Sequence, residues 1–243
     1  MNLKINDKET FIRDFLKPIT QFSETAVFNN KNGEMQCIVS SVDNSTILYT
    51  RHLTGVTDDE DITINVPSVD KLVNSLKLIE GNEINLIINT NNLQYKSNLF
   101  KFKYHLYEDG ILSIPKLNID KINAFKYDVE FEISAELINQ IVKSSTVAGD
   151  ANKVYFYSKD QNIYAELTDR TIDNSDMFSF CLIEGHTGNE ITTPIPLMLD
   201  AIRSFSTLRQ PATVCINNEY GIAKFDINVG STRLQYIVTS VIS

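Results

Sequence analysis

The apolar positions near the start of the chain recur at helical spacing. Phe11, Ile12, Phe15, Leu16 and Ile19 fall on one face, as the 3.6-residue period of an amphipathic helix requires. A short alternation at residues 2–5 predicts a strand before it. Asp7 and Glu9 put negative charge at the helix start, where unbonded backbone N–H groups favour it. Pro18 disfavours helical geometry at Lys17, so the pattern predicts a helix ending there. Strands are predicted at 24–29, 34–40 and 45–52, with Asn32-Gly33 as the turn of the first hairpin. An acidic loop at 58–61 leads into a strand at 62–66. Pro67-Ser68 opens a second helix carrying Val69, Leu72, Val73, Leu76 and Ile79 on one face, and Gly81-Asn82 ends it. Strands at 83–88, 92–96 and 99–107 follow.

The second half repeats this order. A strand at 128–133 precedes a helix capped by Ser134, and strands follow near 153–158, 162–168, 176–184 and 190–193. Pro196 suits the first turn of the next helix, and strands at 212–217, 221–228 and 231–239 finish the chain. Residues 9–17 return as 135–143 at an offset of 126, aligning Ile12 with Ile138, Phe15 with Ile141 and Leu16 with Val142. At the same offset residues 72–79 return as 198–205, and two basic residues recur in register, Lys17 with Lys143 and Lys77 with Arg203. Each half therefore reads β-α-β-β-β-β-α-β-β-β, an α+β unit in which helices cover one face of antiparallel sheet. The expected organisation is a first domain at 1–107, a connector at 108–126 and a second domain at 127–243. The connector is apolar for an exposed joint, with Ile111, Leu112, Ile114 and Leu117. It either packs down on the domains or presents a binding strip.

Composition narrows the class. The chain of 243 residues has room for two cores. No apolar run approaches the roughly 18 residues of a membrane span, and the start has no apolar signal core, so a soluble intracellular protein is expected. Cys37, Cys181 and Cys215 lie scattered in apolar runs and read as strand thiols, not as a disulfide or metal set. His52, His105 and His186 lack metal-binding spacing. No nucleophile elbow, phosphate loop or dinucleotide fingerprint occurs. The acidic loop lacks the alternating ligands of a calcium site. A non-catalytic protein without metal or cofactor is the expectation.

The net charge of −9 argues against coating nucleic acid by bulk attraction. The placement of the basic residues matters more. Opposite their apolar faces the four helices carry Thr10, Arg13 and Lys17; Lys71, Asn74 and Lys77; Asn139, Lys143 and Ser144; and Arg203 with Ser206. Acids early and bases late in a helix also complement its dipole, by about 0.3–1 kcal/mol each, so an ordinary surface helix would look similar. The matched pairs Lys17/Lys143 and Lys77/Arg203 favour a common basic surface facing a polyanion.

The duplicated order of elements, the apolar connector and the basic helix faces together resemble the sliding clamps, the DNA polymerase processivity factors. That family includes proliferating cell nuclear antigen and the clamps of large tailed bacteriophages. The resemblance spans essentially the whole chain, and near the C-terminus residues 220–226 and 234–238 look like the last two strands of the phage clamps. It implies a closed head-to-tail ring of six domains, hence a homotrimer of this two-domain chain, with helices lining the hole and sheets outside. Arg13, Lys17, Lys71, Lys77, Lys143 and Arg203 would face the phosphates of sequence-independent duplex DNA. Phe100, Phe102 and Tyr104 on one edge strand, with Met177, Phe178, Phe180 and Leu182 on another, would form the subunit interface. Ile111, Leu112, Ile114, Pro115, Ile237 and Thr239 would receive peptides of the DNA polymerase and of an ATP-dependent clamp loader. The implied location is the cytoplasm, that of a bacterial host if the chain is a phage protein. Two other readings compete: a DNA-independent module that binds peptides through its connector, and an enzyme with an unfamiliar site.

Overall fold

The computed structural model describes residues 2–56, 61–115, 117–149, 151–172 and 175–240. Most of the acidic loop expected at 58–61 lies outside the described residues; Asp61 is exposed and approaches Lys31 at 3.5 Å. The chain divides into two compact units. The first comprises Met1–Val42, Leu48–Leu117 and Val229–Leu234, and the second Asp43–Ile47, Asn118–Asn228 and Gln235–Ser243.

The first unit opens with β1 (Asn2–Ile5) and a continuous helical run. This run is α-helical at α1 (Lys8–Thr10), π-helical at Phe11–Leu16 and α-helical again at α2 (Lys17–Thr20). The Asp7 side chain caps it by accepting the Thr10 N–H at 3.0 Å, which holds the Asp7 carboxyl below its usual range. There follow β2 (Ala26–Lys31), β3 (Glu34–Ser40), β4 (Thr46–Leu53), β5 (Gly55–Val56), β6 (Ile62–Val66), α3 (Val69–Lys77), β7 (Ile84–Asn89), β8 (Asn92–Lys96) and β9 (Lys101–His105). One sheet has the order β5-β1-β7-β8-β9, with β9 at its edge; elsewhere β4, β3, β2 and β6 are neighbours in that order. Asn32 and Gly33 have φ of 52° and 78°, the left-handed pair that a two-residue type I′ hairpin turn needs.

The second unit contains α4 (Ile119–Asn123), β10 (Val129–Ile133), α5 (Ala135–Ser144), β11 (Lys153–Lys159), β12 (Asn162–Leu167), β13 (Phe178–Ile183), β14 (Ile195–Met198), α6 (Leu199–Ser206), β15 (Ala212–Asn217) and most of β16 (Ile222–Val229) and β17 (Thr232–Thr239), of which Val229 and Thr232–Leu234 belong to the first unit. A four-stranded sheet has the order β13-β12-β11-β14, and β10, β15, β16 and β17 are neighbours in that order. Its ladders β10–β15, β11–β12, β12–β13 and β15–β16 are antiparallel, as are β1–β7, β2–β3, β7–β8 and β8–β9 in the first unit.

The helices bury their apolar faces against sheet. In the first unit Phe15 stacks 5.2 Å from Phe11 and lies 5.5 Å from Phe28 of β2. In the second unit Phe205 of α6 lies 4.8 Å from Phe225 and 5.1 Å from Tyr236. Aromatic side chains of this size dominate core energetics.

Three expectations need correction. Helical geometry does not end at Lys17 but runs through Pro18 to Thr20. The Lys17 N–H reaches back to the Ile12 carbonyl, five residues away, and such a widened π turn relieves the contact a proline ring makes with the preceding turn. The strand expected near 190–193 lies instead at Ile195–Met198, and Pro196 belongs to it and not to the following helix. As β14 is an edge strand, proline is tolerated there without losing a ladder bond. The connector is not wholly irregular: α4 forms in it, capped by Asn118, whose side chain accepts the Lys121 N–H at 2.9 Å.

His52 on β4 is 2 % exposed, bonds through Nδ1 to the Thr232 hydroxyl at 2.8 Å, and lies 5.1 Å from the Phe11 ring. Burial lowers its pKa from 6.5 to about 4, opposed in part by Asp14 and Asp7. The unfolded chain therefore takes up a proton at pH 6.5 that the folded chain refuses until about pH 4. Stability should fall by up to about 3 kcal/mol as pH drops through that window. Urea midpoints measured from pH 7 to 4.5 should fall more steeply for the native chain than for His52→Gln, and equal slopes would count against the buried neutral imidazole.

Candidate nucleic-acid and partner interfaces

Within each unit two helices pack side by side, α2 with α3 and α5 with α6. Their apolar residues are mostly buried, with Leu137 and Val142 of α5 half-buried, and Arg13, Lys17, Lys71, Lys77, Lys143 and Arg203 are exposed. Ser206, expected on the outward face, is 8 % exposed and donates to the Arg203 carbonyl.

The π-helical stretch explains a mismatch in the repeat. The N-caps Asp7 and Ser134 are 127 residues apart, whereas Lys17 and Lys143 are 126 apart. The first helix thus carries one extra residue between its cap and its lysine. A π turn takes up one more residue than an α turn, so the extra residue is absorbed at Phe11–Leu16 and the lysine keeps its outward face.

The six cations differ in their surroundings. Lys17, Lys71, Lys77 and Lys143 have no ion-pair partner among the described residues. Arg13 makes a bidentate pair with Asp14, Nε to Oδ1 at 2.6 Å and Nη2 to Oδ2 at 2.7 Å, and Asp14 is 2 % exposed. That hydrogen bonding raises the Arg13 pKa further above its ordinary value. Arg203 donates to Asp200 Oδ1 at 2.8 Å and to the Ser145 hydroxyl at 2.9 Å, tying α6 to the residue that follows α5.

The connector begins against the first unit. Leu112, Ile114 and Pro115 line a cavity of about 100 Å³ together with Ala26 and Val27 of β2 and Ile38 and Val39 of β3. Ile111 is exposed and lies outside this lining. Its later part is fastened to the second unit. The Tyr127 hydroxyl donates to the Ile122 carbonyl, Asn217 Nδ2 to the Lys126 carbonyl at 3.0 Å, and Gln235 Nε2 to Asn123 Oδ1 at 3.1 Å. Ile237 is interior at 3 % exposure and Thr239 is exposed; neither lines the cavity. The sequence reading missed the β2 and β3 residues of the lining, and Val42, a fully exposed valine just after β3. Its signal was an apolar residue after the β3 alternation had ended.

Both strands expected at a subunit interface, β9 and β13, lie at sheet edges. Phe100 and Phe102 are half-buried and gather with Tyr95 at centroid distances of 6.0–6.3 Å. Beside them a hollow of about 490 Å³ is lined by Leu78, Tyr95, Leu99 and Phe100. Tyr104 is instead an interior residue whose hydroxyl donates to the Ser68 carbonyl at 2.6 Å and accepts the Ser68 N–H at 3.0 Å, bracing the start of α3. On β13, Phe178 and Phe180 are half-buried, Leu182 is interior and Met177 beside the strand is exposed. Lys96 and Lys101 stand directly opposite each other on β8 and β9, an unfavourable like-charge pair. Acidic Asp176 and Glu184 flank β13.

Among the described residues no group of three His, Cys, Asp or Glu side chains could hold a metal ion, and no helix is long and apolar enough to cross a membrane. The three cysteines are free thiols. Burial pushes the Cys215 thiol up to about 11 and raises Cys37 beyond the ordinary range.

No protein-family model and no curated protein sequence matches the chain. Solved structures do. The chain is similar to PCNA of A. fulgidus, in a structure with the C-terminal region of FEN-1 bound, at a TM-score of 0.80 and 16 % identity over 100 % of this chain and 98 % of that one. It is similar to a chain of the PCNA2–PCNA3 complex of Sulfolobus tokodaii, at 0.74 and 11 % over 99 % of each. It is also similar to the proliferating cellular nuclear antigen of Entamoeba histolytica, at 0.75 and 10 % over 99 % and 98 %. At these identities the likeness establishes the fold: the α+β fold of the PCNA sliding clamps over the full length.

The different settings of the cations predict different stability effects. Arg203→Gln should lose about 1 kcal/mol through its bond across the helix pair, while Lys143→Gln should stay within about 0.5 kcal/mol of the native chain. Urea unfolding of the two variants checks this; equal values would remove Arg203 as a brace.

Proposed function

We propose that the chain is a non-catalytic sliding clamp. Three copies close head to tail into a ring around duplex DNA, and the ring tethers a replicative polymerase. The observation that carries this reading is the full-length likeness to PCNA at a TM-score of up to 0.80. The two free edges add support. An unpaired strand exposes a row of N–H and C=O groups that invites pairing with another chain. Joining β9 of one copy to β13 of the next would cover both edges and bring the lysines of β8 and β9 towards acidic Asp176 or Glu184. Such a heterologous contact closes into a ring only when its rotation divides the circle. Six domains, two from each copy, make the trimer.

In this ring the helices face the duplex. Lys17, Lys71, Lys77 and Lys143 meet phosphates, as do Arg13 and Arg203 more weakly. The acidic remainder of the chain keeps DNA from other surfaces. Affinity for DNA is low and falls steeply with salt, which leaves the ring free to slide. The polymerase held by the ring rebinds as an intramolecular event. A closed ring cannot thread onto DNA without ends, so an ATP-dependent loader opens it. The cavity under Leu112, Ile114 and Pro115, with exposed Ile111 and Val42, is the proposed dock for partner peptides. The A. fulgidus PCNA it resembles is bound by the C-terminal region of FEN-1, which makes a partner's chain terminus a reasonable ligand.

Sedimentation at micromolar concentration should give three times the chain mass. A monomer at tens of micromolar would overturn the ring and favour the DNA-independent peptide-binding module. Reversing Lys17, Lys77 and Lys143 to Glu should shorten loader-dependent synthesis by about an order of magnitude at unchanged sedimentation. Normal run lengths would take these lysines off the DNA face.

A further inference from the structure

The helix layers carry two kinds of cation, and the division follows residue type. Both arginines are engaged by a carboxylate of their own helix, whereas none of the four lysines has an ion-pair partner among the described residues. The arrangement at Arg13 is built. Neighbours in a helix do not ordinarily face each other. Here the exposed Arg13 side chain nonetheless folds back onto Asp14, which is 2 % exposed and takes both oxygens into the pair. At Arg203 the partner Asp200 lies three residues earlier, one turn back on the same face. Guanidinium and ammonium groups hold phosphate differently. The planar fork of arginine grips two oxygens at once, while lysine is a point charge without directional lock.

We propose that Asp14 and Asp200 are intramolecular competitors of phosphate: Asp14 occupies the fork of Arg13, Asp200 shares that of Arg203 with the Ser145 hydroxyl, and the phosphate contacts are left mainly to the lysines. The competition holds the DNA face to weak, undirected attraction, the kind a sliding surface needs. This inference rests on the reading that the helices face a duplex, and it adds that two acidic residues set how firmly they do so.

The test is duplex affinity as a function of salt, measured with a short linear DNA on the full chain. Asp14→Asn and Asp200→Asn should each bind about two- to fivefold tighter at low salt. Each should show a slope of log K against log salt steeper by about 1, one added phosphate contact. Asp200 is exposed at its side chain, so Asp200→Asn tests the idea even if Asp14→Asn folds poorly. Asp70→Asn removes the same charge from exposed α3 without freeing an arginine, and should gain less. In an Arg13→Gln background Asp14→Asn should gain nothing, and likewise Asp200→Asn in Arg203→Gln. An equal gain from Asp70→Asn, a gain that persists without the arginine, or no gain at all would overturn the proposal while leaving the clamp reading intact. Failure of the native chain and of all variants to bind duplex at low salt would overturn the DNA-facing reading, and this inference with it.

Discussion

The long helices of this protein each have one apolar face to bury. Phe11 and Phe15 close on Phe28 and His52, and Phe205 closes on Phe225 and Tyr236. Burial of such a ring stabilises by about 1.5–3 kcal/mol, so the rotation of each helix about its axis is settled by its inner face. The outer face follows without further choice. Lys17, Lys71, Lys77 and Lys143 are turned to the outside because the residues three and four positions away are turned in. The basic layer is thus a consequence of core packing, and its charges can vary in kind without disturbing the fold.

The same constraint accounts for the π-helical stretch. One residue too many between cap and lysine would rotate the remainder of an α-helix by about 100°. Phe15, Leu16 and Ile19 would then leave the core. Widening the helix at Phe11–Leu16 keeps them buried at 0 % exposure. It also accommodates Pro18 and holds Asp14 in the interior beneath Arg13. A local irregularity that the core demands thereby places a carboxylate against a cation of the outward face.

Antiparallel sheets that do not close on themselves end in edges. β9 and β13 end theirs without proline, unlike β14, which carries Pro196. Lysines on β8 and β9 make one edge basic, and acidic Asp176 and Glu184 flank β13 at the other. Tyr104 and Leu182, although in these strands, serve their own interiors. What these edges leave uncovered includes the half-buried Phe100, Phe102, Phe178 and Phe180 and the hollow at Leu99.

Much of this could be read from residue order alone. Periodicity located nearly every helix and strand because each element has one wet and one dry face, and local patterning records that difference directly. The offset of 126 gave the duplication, and the capping residues Asp7, Ser68 and Ser134 gave the helix starts. Composition limited the chemistry. Other features depend on partners distant in sequence. No local pattern tells that Arg203 spans to Ser145, that the Tyr104 hydroxyl is spent on Ser68, that Ile237 is interior, or that β2 and β3 wall a cavity under Leu112. Nor does it tell that Pro196 sits in a strand, since only the position of β14 at a sheet edge makes that cheap. The sequence by itself determined which faces are apolar and where the cations lie along the helices. Tertiary structure alone decided which of those cations are already held by a carboxylate, because pairing depends on distances of a few ångströms that the period of a helix does not encode.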